Sequence, residues 1–315
     1  MSFRIIFPVD RAASEIVSLA DLTNPMVTWP FVQAMADTGS QASLFGLYED
    51  GRWTSATLGF LRSGRLNRAL EVVSLPALPD PERFWTGLIN YCHRQRISNL
   101  SISAFASPGA VIPALKGELS RQTRTEFSLD LAVVDLMAGM SSGHRGSVRR
   151  GEKTGLTLRR TSDPGFCADH LRVSEASMER RRGRGEKIDL SGDSFLRAAL
   201  KTGAIELFQT LLDSRVVASA AVLLAPRGGY LQSTGSDAEG MKIGASTFLN
   251  FQIAKTLQAE GHAVYNLGGC TDAQAGLKAY KAHFGGRAAN MEAAEFFVGP
   301  WWKSKLTSAM KSLAG

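Results

Sequence analysis

The chain has 315 residues, 44% of them hydrophobic and 21% charged, with a formal net charge of +7. That length suggests about two domains, and that composition excludes a grossly disordered chain. The longest uncharged apolar stretch, residues 216–226, is about half of the roughly 20 residues that a membrane helix needs. Cys92, Cys167 and Cys270 lie far apart with no CxxC or CxxxH spacing, so neither a metal site nor a disulfide is expected.

The opening MSFRIIFPVDRAAS has one short apolar patch before Asp10 and Arg11. It does not read as a signal peptide, and the expected location is the cytoplasm. Residues 43–61 read as strand, tight polar turn at Asp50–Gly51, strand, since Asp and Gly tolerate the φ values of such turns. A helix follows over residues 84–96, with Phe84, Leu88, Ile89 and Cys92 at helical spacing, then a short strand over 100–104.

Residues 141–187 hold twelve Lys/Arg and six Asp/Glu, so most of the net charge sits in one stretch. Arg145, Arg149, Arg150 and Lys153 fall on one helical face, Gly155 ends that helix, and residues 156–160 look like a strand. Residues 179–187, with Arg180, Arg181, Arg182 and Arg184, read as a mobile loop because charge and glycine disfavour packing. These two groups of cations are the candidate contacts for an anionic partner.

Residues 206–224 repeat the first hairpin. At a constant offset of 163, Leu44, Phe45, Asp50, Arg52 and Leu61 meet Leu207, Phe208, Asp213, Arg215 and Leu224. A helix over 246–260, ended by Gly261, and a strand over 263–267 then match the helix and strand of the first half. The shared order of elements implies a duplication and two α+β domains with mixed sheets.

The region 230–287 reads as strand, glycine-containing loop, helix, strand, Gly-Gly turn and second helix. A helix start offers unpaired N–H groups and partial positive charge, and glycines ahead of it let a phosphate approach. Gly240, Gly244 and Ala245 therefore form a candidate pyrophosphate cradle, with Lys242, Ser246 and Thr247 beside them. In the helix of residues 276–284, Lys278 and Lys281 are three apart and share a face.

The run from the glycine loop through Asn266-Leu267-Gly268-Gly269 to GLKAYKAHFGG resembles the C-terminal half of FemABX-type transferases and of the related cellulose-locus acetyltransferases, both of the GNAT superfamily. HRGSVRRGEKTGLTL is similar to their basic segment between halves, and NPMVTWPFVQAM, residues 24–35, looks like their opening helix. The resemblance covers most of residues 24–295 and is most specific over 266–286. Two positions depart from the usual GNAT pyrophosphate signature: Met241 stands at its first place, and Ser246 where Gly or Ala is commoner.

The resemblance implies tandem GNAT folds, each a mixed central sheet flanked by helices. It implies a first half over 1–130, a basic helix and Arg-rich loop over 131–190 belonging to the second half, a donor site within 191–299, and an amphipathic tail over 300–315. It implies acyl transfer to an amine acceptor in the second half, with acyl-CoA, or alternatively aminoacyl-tRNA, as co-substrate and no permanently bound cofactor. Tyr280–Lys281 matches the family's aromatic–lysine pair, so Lys281 is the leading catalytic candidate, with Tyr280, Lys278, Asn266, Gly268 and Gly269 around the donor. Tyr230 and Asp237 are the nearest candidates for general acid or base, against bland readings as a packed strand tyrosine and a turn-capping aspartate.

Two further readings stand beside transfer. One is a non-catalytic RNA- or anionic-lipid-binding protein on the same fold, suited by the Arg-rich stretch and by Trp301–Trp302 in the tail, which is also a candidate membrane contact. The other is an aminoacyltransferase acting on a lipid-linked wall precursor.

Overall fold

The computed structural model describes residues 1–64, 67–183 and 193–300. In chain order the elements are β1 (Ser2–Ile6), α1 (Arg11–Ala20), α2 (Trp29–Asp37), β2 (Gln41–Glu49), β3 (Arg52–Ser63), β4 (Arg68–Val72), α3 (Pro81–Arg94) and β5 (Asn99–Ser103). There follow β6 (Glu118–Asp130), α4 (Ser142–Lys153), β7 (Thr157–Thr161), α5 (Cys167–Arg182), α6 (Asp193–Thr202), β8 (Ile205–Leu212), β9 (Arg215–Ala225) and β10 (Gly228–Ser236). The last are α7 (Ala238–Ile243), α8 (Ala245–Ala259), β11 (Val264–Cys270), α9 (Ala275–Ala282) and β12 (Arg287–Phe297).

These elements form two compact units. The first holds residues 1–20, 39–124 and, among the described residues, 290–300; the second holds 21–38 and 125–289. The halves expected from sequence, divided near residue 130, are thus not the compact units themselves. Residues 21–38 pack with the second unit: Arg227 donates its N–H to the Leu22 carbonyl, and Phe31 meets Phe195 edge-on at 5.7 Å. The opening helix expected over 24–35 is two pieces, a 3-10 turn at Pro25–Val27 and then α2. Pro30, which has no N–H to give a preceding turn, sits at the start of α2, where that costs nothing.

Each unit orders its strands the same way. The first runs β1-β2-β3-β4-β5-β12 and the second β7-β8-β9-β10-β11-β6. All neighbours are antiparallel except β4 with β5 and β10 with β11. The two hairpins agree in detail. Asp50 and Gly51 have φ of 48° and 82°, Asp213 and Ser214 of 48° and 67°, the two consecutive left-handed residues of a type I′ turn. Each hairpin also shifts register once, between Leu47 and Tyr48 and between Thr210 and Leu211, which are equivalent places at the offset of 163.

Helix α8 forms the core of the second unit. Leu249, Ile253 and Leu257, at helical spacing, are fully buried with Phe208, Val222 and Tyr265, each such side chain contributing about 1.5–3 kcal/mol. Residues 179–182, expected as part of a loop, are instead the last turn of α5. Arginine is a good helix former, and cations at a helix C-terminus favour the dipole; the remainder of that loop, with Arg184, and the tail beyond residue 300 lie outside the described residues.

Candidate active site

In the second unit two parallel strands separate. β10 and β11 pair only at Gly228–Val264, Gly229–Tyr265 and Tyr230–Asn266, yet β10 continues to Ser236 and β11 to Cys270. The equivalent pair in the first unit stays together, with Ala69 to Val72 facing Asn99 to Ile102 in strands that end by Val72 and Ser103. Two irregularities accompany the separation. β10 has an extra residue at Gln232, where the register against β9 shifts between Leu231 and Ser233. β11 shifts against β6 between Asn266 and Gly269. Bulges of this kind end pairing and re-aim backbone groups.

Lys281 sits where the strands separate. Its side chain is buried and donates from Nζ to the Gly269 carbonyl at 2.9 Å. Gly268 adopts a left-handed φ of 71°. A Cβ there would lie 2.8 Å from the Leu231 carbonyl oxygen and 3.6 Å from the Lys281 Nζ. Only glycine lets β10, β11 and the lysine meet so closely. Below this point Asn266 accepts from the Gly268 N–H and donates to Glu126, whose other carboxylate oxygen accepts from the Tyr230 hydroxyl at 2.9 Å.

The start of α8 lies beside α9. Gly244, at a φ of 77°, closes α7 and precedes α8. Its carbonyl accepts from Thr247 and Phe248, so the N–H groups of Ala245 and Ser246 are the ones that a helix start leaves for an anion. Tyr280 locks α9 against this helix start: its hydroxyl receives a bond from Asn250 at 3.3 Å and hydrogen-bonds the Thr247 side chain. Enclosure pushes the Tyr280 hydroxyl up to about 12. On the other side His144 of α4 packs on the rings of Tyr280 and Phe284. Its Nε2 lies 3.1 Å from the Tyr280 carbonyl, which can only accept, so Nε2 carries the proton. Burial pulls the His144 imidazole below its ordinary range, against the raising effect of that bond.

Residues 140–282 match the family model described as an acetyltransferase (GNAT) domain. Over that stretch the chain is similar to GNAT acetyltransferases, and its architecture is FemABX-like. No curated protein matches it by sequence. Among solved structures it is similar to FemX, with a TM-score of 0.68 and 12% identity over 92% of this chain and 96% of that one. It is similar also to the C-terminal domain of a putative lysylphosphatidylglycerol synthetase from Agrobacterium fabrum, with a TM-score of 0.56 and 15% identity over 91% and 92%. A tandem GNAT protein from the clavulanic acid biosynthesis pathway gives a TM-score of 0.55 and 15% identity over 95% and 99%. At these identities the likeness shows the fold.

Within residues 140–282 the expected residues divide. Lys281, Gly268, Gly269 and Asn266 gather where β10 and β11 separate, and Gly244 to Thr247 gather with Tyr280 at the start of α8. Gly240 leaves the cradle: it lies within α7, its N–H bonds the Asp237 carboxylate at 2.8 Å, and a Cβ would strike the Val217 carbonyl at 2.3 Å. Asp237 caps α7 and pairs with Arg215 at 2.6 Å and Arg172 at 3.7 Å, which is the capping role rather than that of an acid or base. Tyr230 is the packed strand tyrosine, tied to Glu126. Lys278 turns outward to Asp272 at 2.7 Å while Lys281 turns inward, so the two lysines do not share a face. The reason is that Lys281 bonds the Gly269 carbonyl whereas Lys278 pairs with Asp272.

The basic residues divide as well. Arg145 folds back to the Met140 carbonyl, and Arg180 ties α5 to the Ser236 carbonyl at 2.6 Å; both hold structure. Arg181 contacts Met178 in its own helix, and Arg182 ends that helix. Arg149, Arg150 and Lys153 are exposed and line a shallow concavity on α4 with Gly146 and Glu152. Arg150 reaches the Lys242 carbonyl at 3.4 Å, which brings Lys242 to the same patch. Among the described residues no cluster of His, Cys, Asp or Glu could hold a metal ion, and all three cysteines are buried. No described helix is long and apolar enough to cross a membrane.

Sequence reasoning missed two buried polar centres. Glu126 is fully buried on β6, and only the long-range pairing of β6 with β11 brings it to Tyr230 and Asn266. His170 on α5 is buried between Ser219 of β9 and Ser233 of β10. Apart from Ser174, one helical turn on, its partners lie 49 and 63 residues away, which no local spacing marks.

Proposed function

We propose that the second unit transfers an acyl group from an activated, phosphate-bearing carrier to an amine acceptor. Acyl-CoA is the favoured donor. The observation that carries this reading is the separation of β10 from β11 beyond Tyr230–Asn266, with Lys281 at the point of separation. Unpaired strand backbone there offers N–H groups to the acyl carbonyl, where negative charge develops in transfer. The Ala245 and Ser246 N–H groups hold the carrier's phosphates. Lys281, already desolvated, steadies the developing charge. No permanently bound cofactor enters, and the two units derive from one duplicated domain in a cytoplasmic protein.

Aminoacyl-tRNA is the second donor reading. It is favoured by Arg149, Arg150 and Lys153, exposed together on α4 beside Lys242. Several cations on one face release counterions on binding a nucleic acid, so such binding falls steeply with salt. Mass spectrometry of small molecules co-purified with the full chain, followed by turnover with acetyl-CoA and with a charged tRNA, tests both. Retained CoA and amine acetylation support the first reading; transfer only from tRNA supports the second. Absence of transfer from either donor refutes the proposed function.

A further inference from the structure

The mechanism so far leaves the proton of the acceptor amine without a destination, and one cluster on the other face of β10 can receive it. Gly229 and Leu231 face α8: a Cβ on Gly229 would meet Leu257, and Leu231 lies in the same core. The extra residue at Gln232 then reverses the alternation. Ser233 faces α5, and so does Gly235, whose missing side chain lets α5 come within 2.5 Å of where a Cβ would stand. That close approach seats His170 among three hydroxyls. Its Nδ1 lies 2.9 Å from Ser219 Oγ, and its Nε2 lies 2.9 Å from Ser233 Oγ and 3.4 Å from Ser174 Oγ. Ser219 is fully buried, whereas Ser233 is partly open and lies on the stretch of β10 that has lost β11.

We propose that Ser233 is a catalytic hydroxyl of the second unit, taking the proton of the acceptor amine and passing its own to His170. This rests on the acyl-transfer reading above. The amine nitrogen attacks the carrier's carbonyl carbon and a C–N bond forms. The bond from that carbon to the carrier's sulfur or oxygen breaks. The proton on nitrogen moves to Ser233 Oγ while the Ser233 hydroxyl proton moves to His170 Nε2. The same relay then returns a proton to the departing thiolate or alkoxide, so amine plus activated acyl group gives amide plus free carrier. Ser219 accepts from the Nδ1–H and holds the imidazole in the tautomer that makes Nε2 an acceptor for the Ser233 and Ser174 hydroxyls, the base-plus-orienter arrangement. His170 is thus a positioning and relay residue, and Ser233 touches the substrate.

Burial alone lowers the imidazole to about 4, so it is neutral and open at physiological pH and does not retain a proton. Charged side chains on the elements packed against α5 are engaged in ion pairs: Asp169 with Arg159 and Arg172, Arg215 with Asp237 and Glu239, Asp193 with Arg197, Lys201 with Asp37, and Glu206 with Arg160. β10 carries no charged residue.

The test compares wild type, Ser233→Ala, Ser233→Thr and His170→Gln in the full chain, with acetyl-CoA or a charged tRNA as donor and a panel of primary amines at pH 6–9. Ser233→Ala is expected to lower kcat on the order of 100-fold at pH 7, with the donor KM unchanged and a rate that climbs with pH where the wild type is flat. Ser233→Thr, which keeps the hydroxyl, restores most of the rate. Nitrogen NMR of labelled protein should show His170 neutral at pH 6 with the proton on Nδ1. A Ser233→Ala variant with wild-type kcat and pH profile, or a proton on Nε2, overturns the relay alone. A wild type inactive with both donors overturns the acyl-transfer reading and the relay with it. Should His170→Gln not fold, the two Ser233 variants decide.

Discussion

The ammonium of Lys281 donates to the Gly269 carbonyl over 2.9 Å, from the last turn of the helix that follows the strand bearing its acceptor. A buried cation is costly unless it is hydrogen-bonded, and the Gly269 carbonyl supplies one such bond beside the point where β10 and β11 separate. Lys281→Met keeps the length and apolar stem but removes the charge. Steady-state kinetics should show kcat lowered on the order of 100-fold, with an unfolding midpoint near that of the wild type. Unchanged kinetics would remove Lys281 from the site.

Gly268 is the second requirement of the separation. A side chain there meets both a left-handed φ of 71° and the Leu231 carbonyl at 2.8 Å. Gly268→Ala should destabilise the fold by about 1–3 kcal/mol, read by chemical denaturation. It should also lower donor affinity, because β10 must shift.

Tyr230→Phe separates structure from chemistry. It removes a donor from the fully buried Glu126, which costs about 1–3 kcal/mol. Denaturant unfolding should record that loss while kcat per folded molecule stays near the wild-type value. A large loss of kcat at full stability would restore Tyr230 as an acid or base.

His170 makes the stability of the second unit sensitive to acid. Burial lowers its pKa to about 4 in the fold, against about 6.5 for a free imidazole. Above pH 6.5 neither the folded nor the unfolded state binds this proton and nothing changes. As pH falls from 6.5 towards 4, the unfolded chain takes a proton that the folded chain refuses. Stability then declines by about 3 kcal/mol in total. Thermal unfolding of wild type and His170→Gln across that window should show a slope in the first that is missing from the second.

Much of this was legible before the structure. The hairpins at the offset of 163 appear with the same turn conformation and the same register shift, because Asp-Gly and Asp-Ser fix such turns locally. The helices expected over 246–260 and 276–284 appear as α8 and α9, and the juxtaposition of Tyr280, Lys281 and the Asn266–Gly269 segment follows the motif. What failed was whatever depended on distant partners. Gly240 read as loop glycine because nothing local shows that Asp237 caps α7 or that Val217 lies against it. Lys278 and Lys281 diverge because one pairs with Asp272 and the other bonds the Gly269 carbonyl, partners that no spacing encodes. Ser233 was invisible because strict alternation puts it on the side of Leu231, and a bulge that inserts Gln232 reverses that.

The exposed cations of α4 give a prediction free of the fold. Arg149→Glu with Lys153→Glu should leave the unfolding midpoint within about 1 °C, since neither side chain is buried. If the donor is tRNA, filter binding should show a weaker affinity and a salt dependence about two charges shallower. With acetyl-CoA as donor and a neutral acceptor amine, turnover should be unaffected by the same pair.

In the proposed function the separated strands, the start of α8 and Lys281 together hold an activated acyl carrier. Calorimetric titration of acetyl-CoA into the wild-type chain and into Lys281→Met tests it most directly. Saturable binding to the wild type and at least tenfold weaker binding to the variant are expected, a difference of about 1.4 kcal/mol or more. Equal affinities, or no heat with either protein, would contradict it.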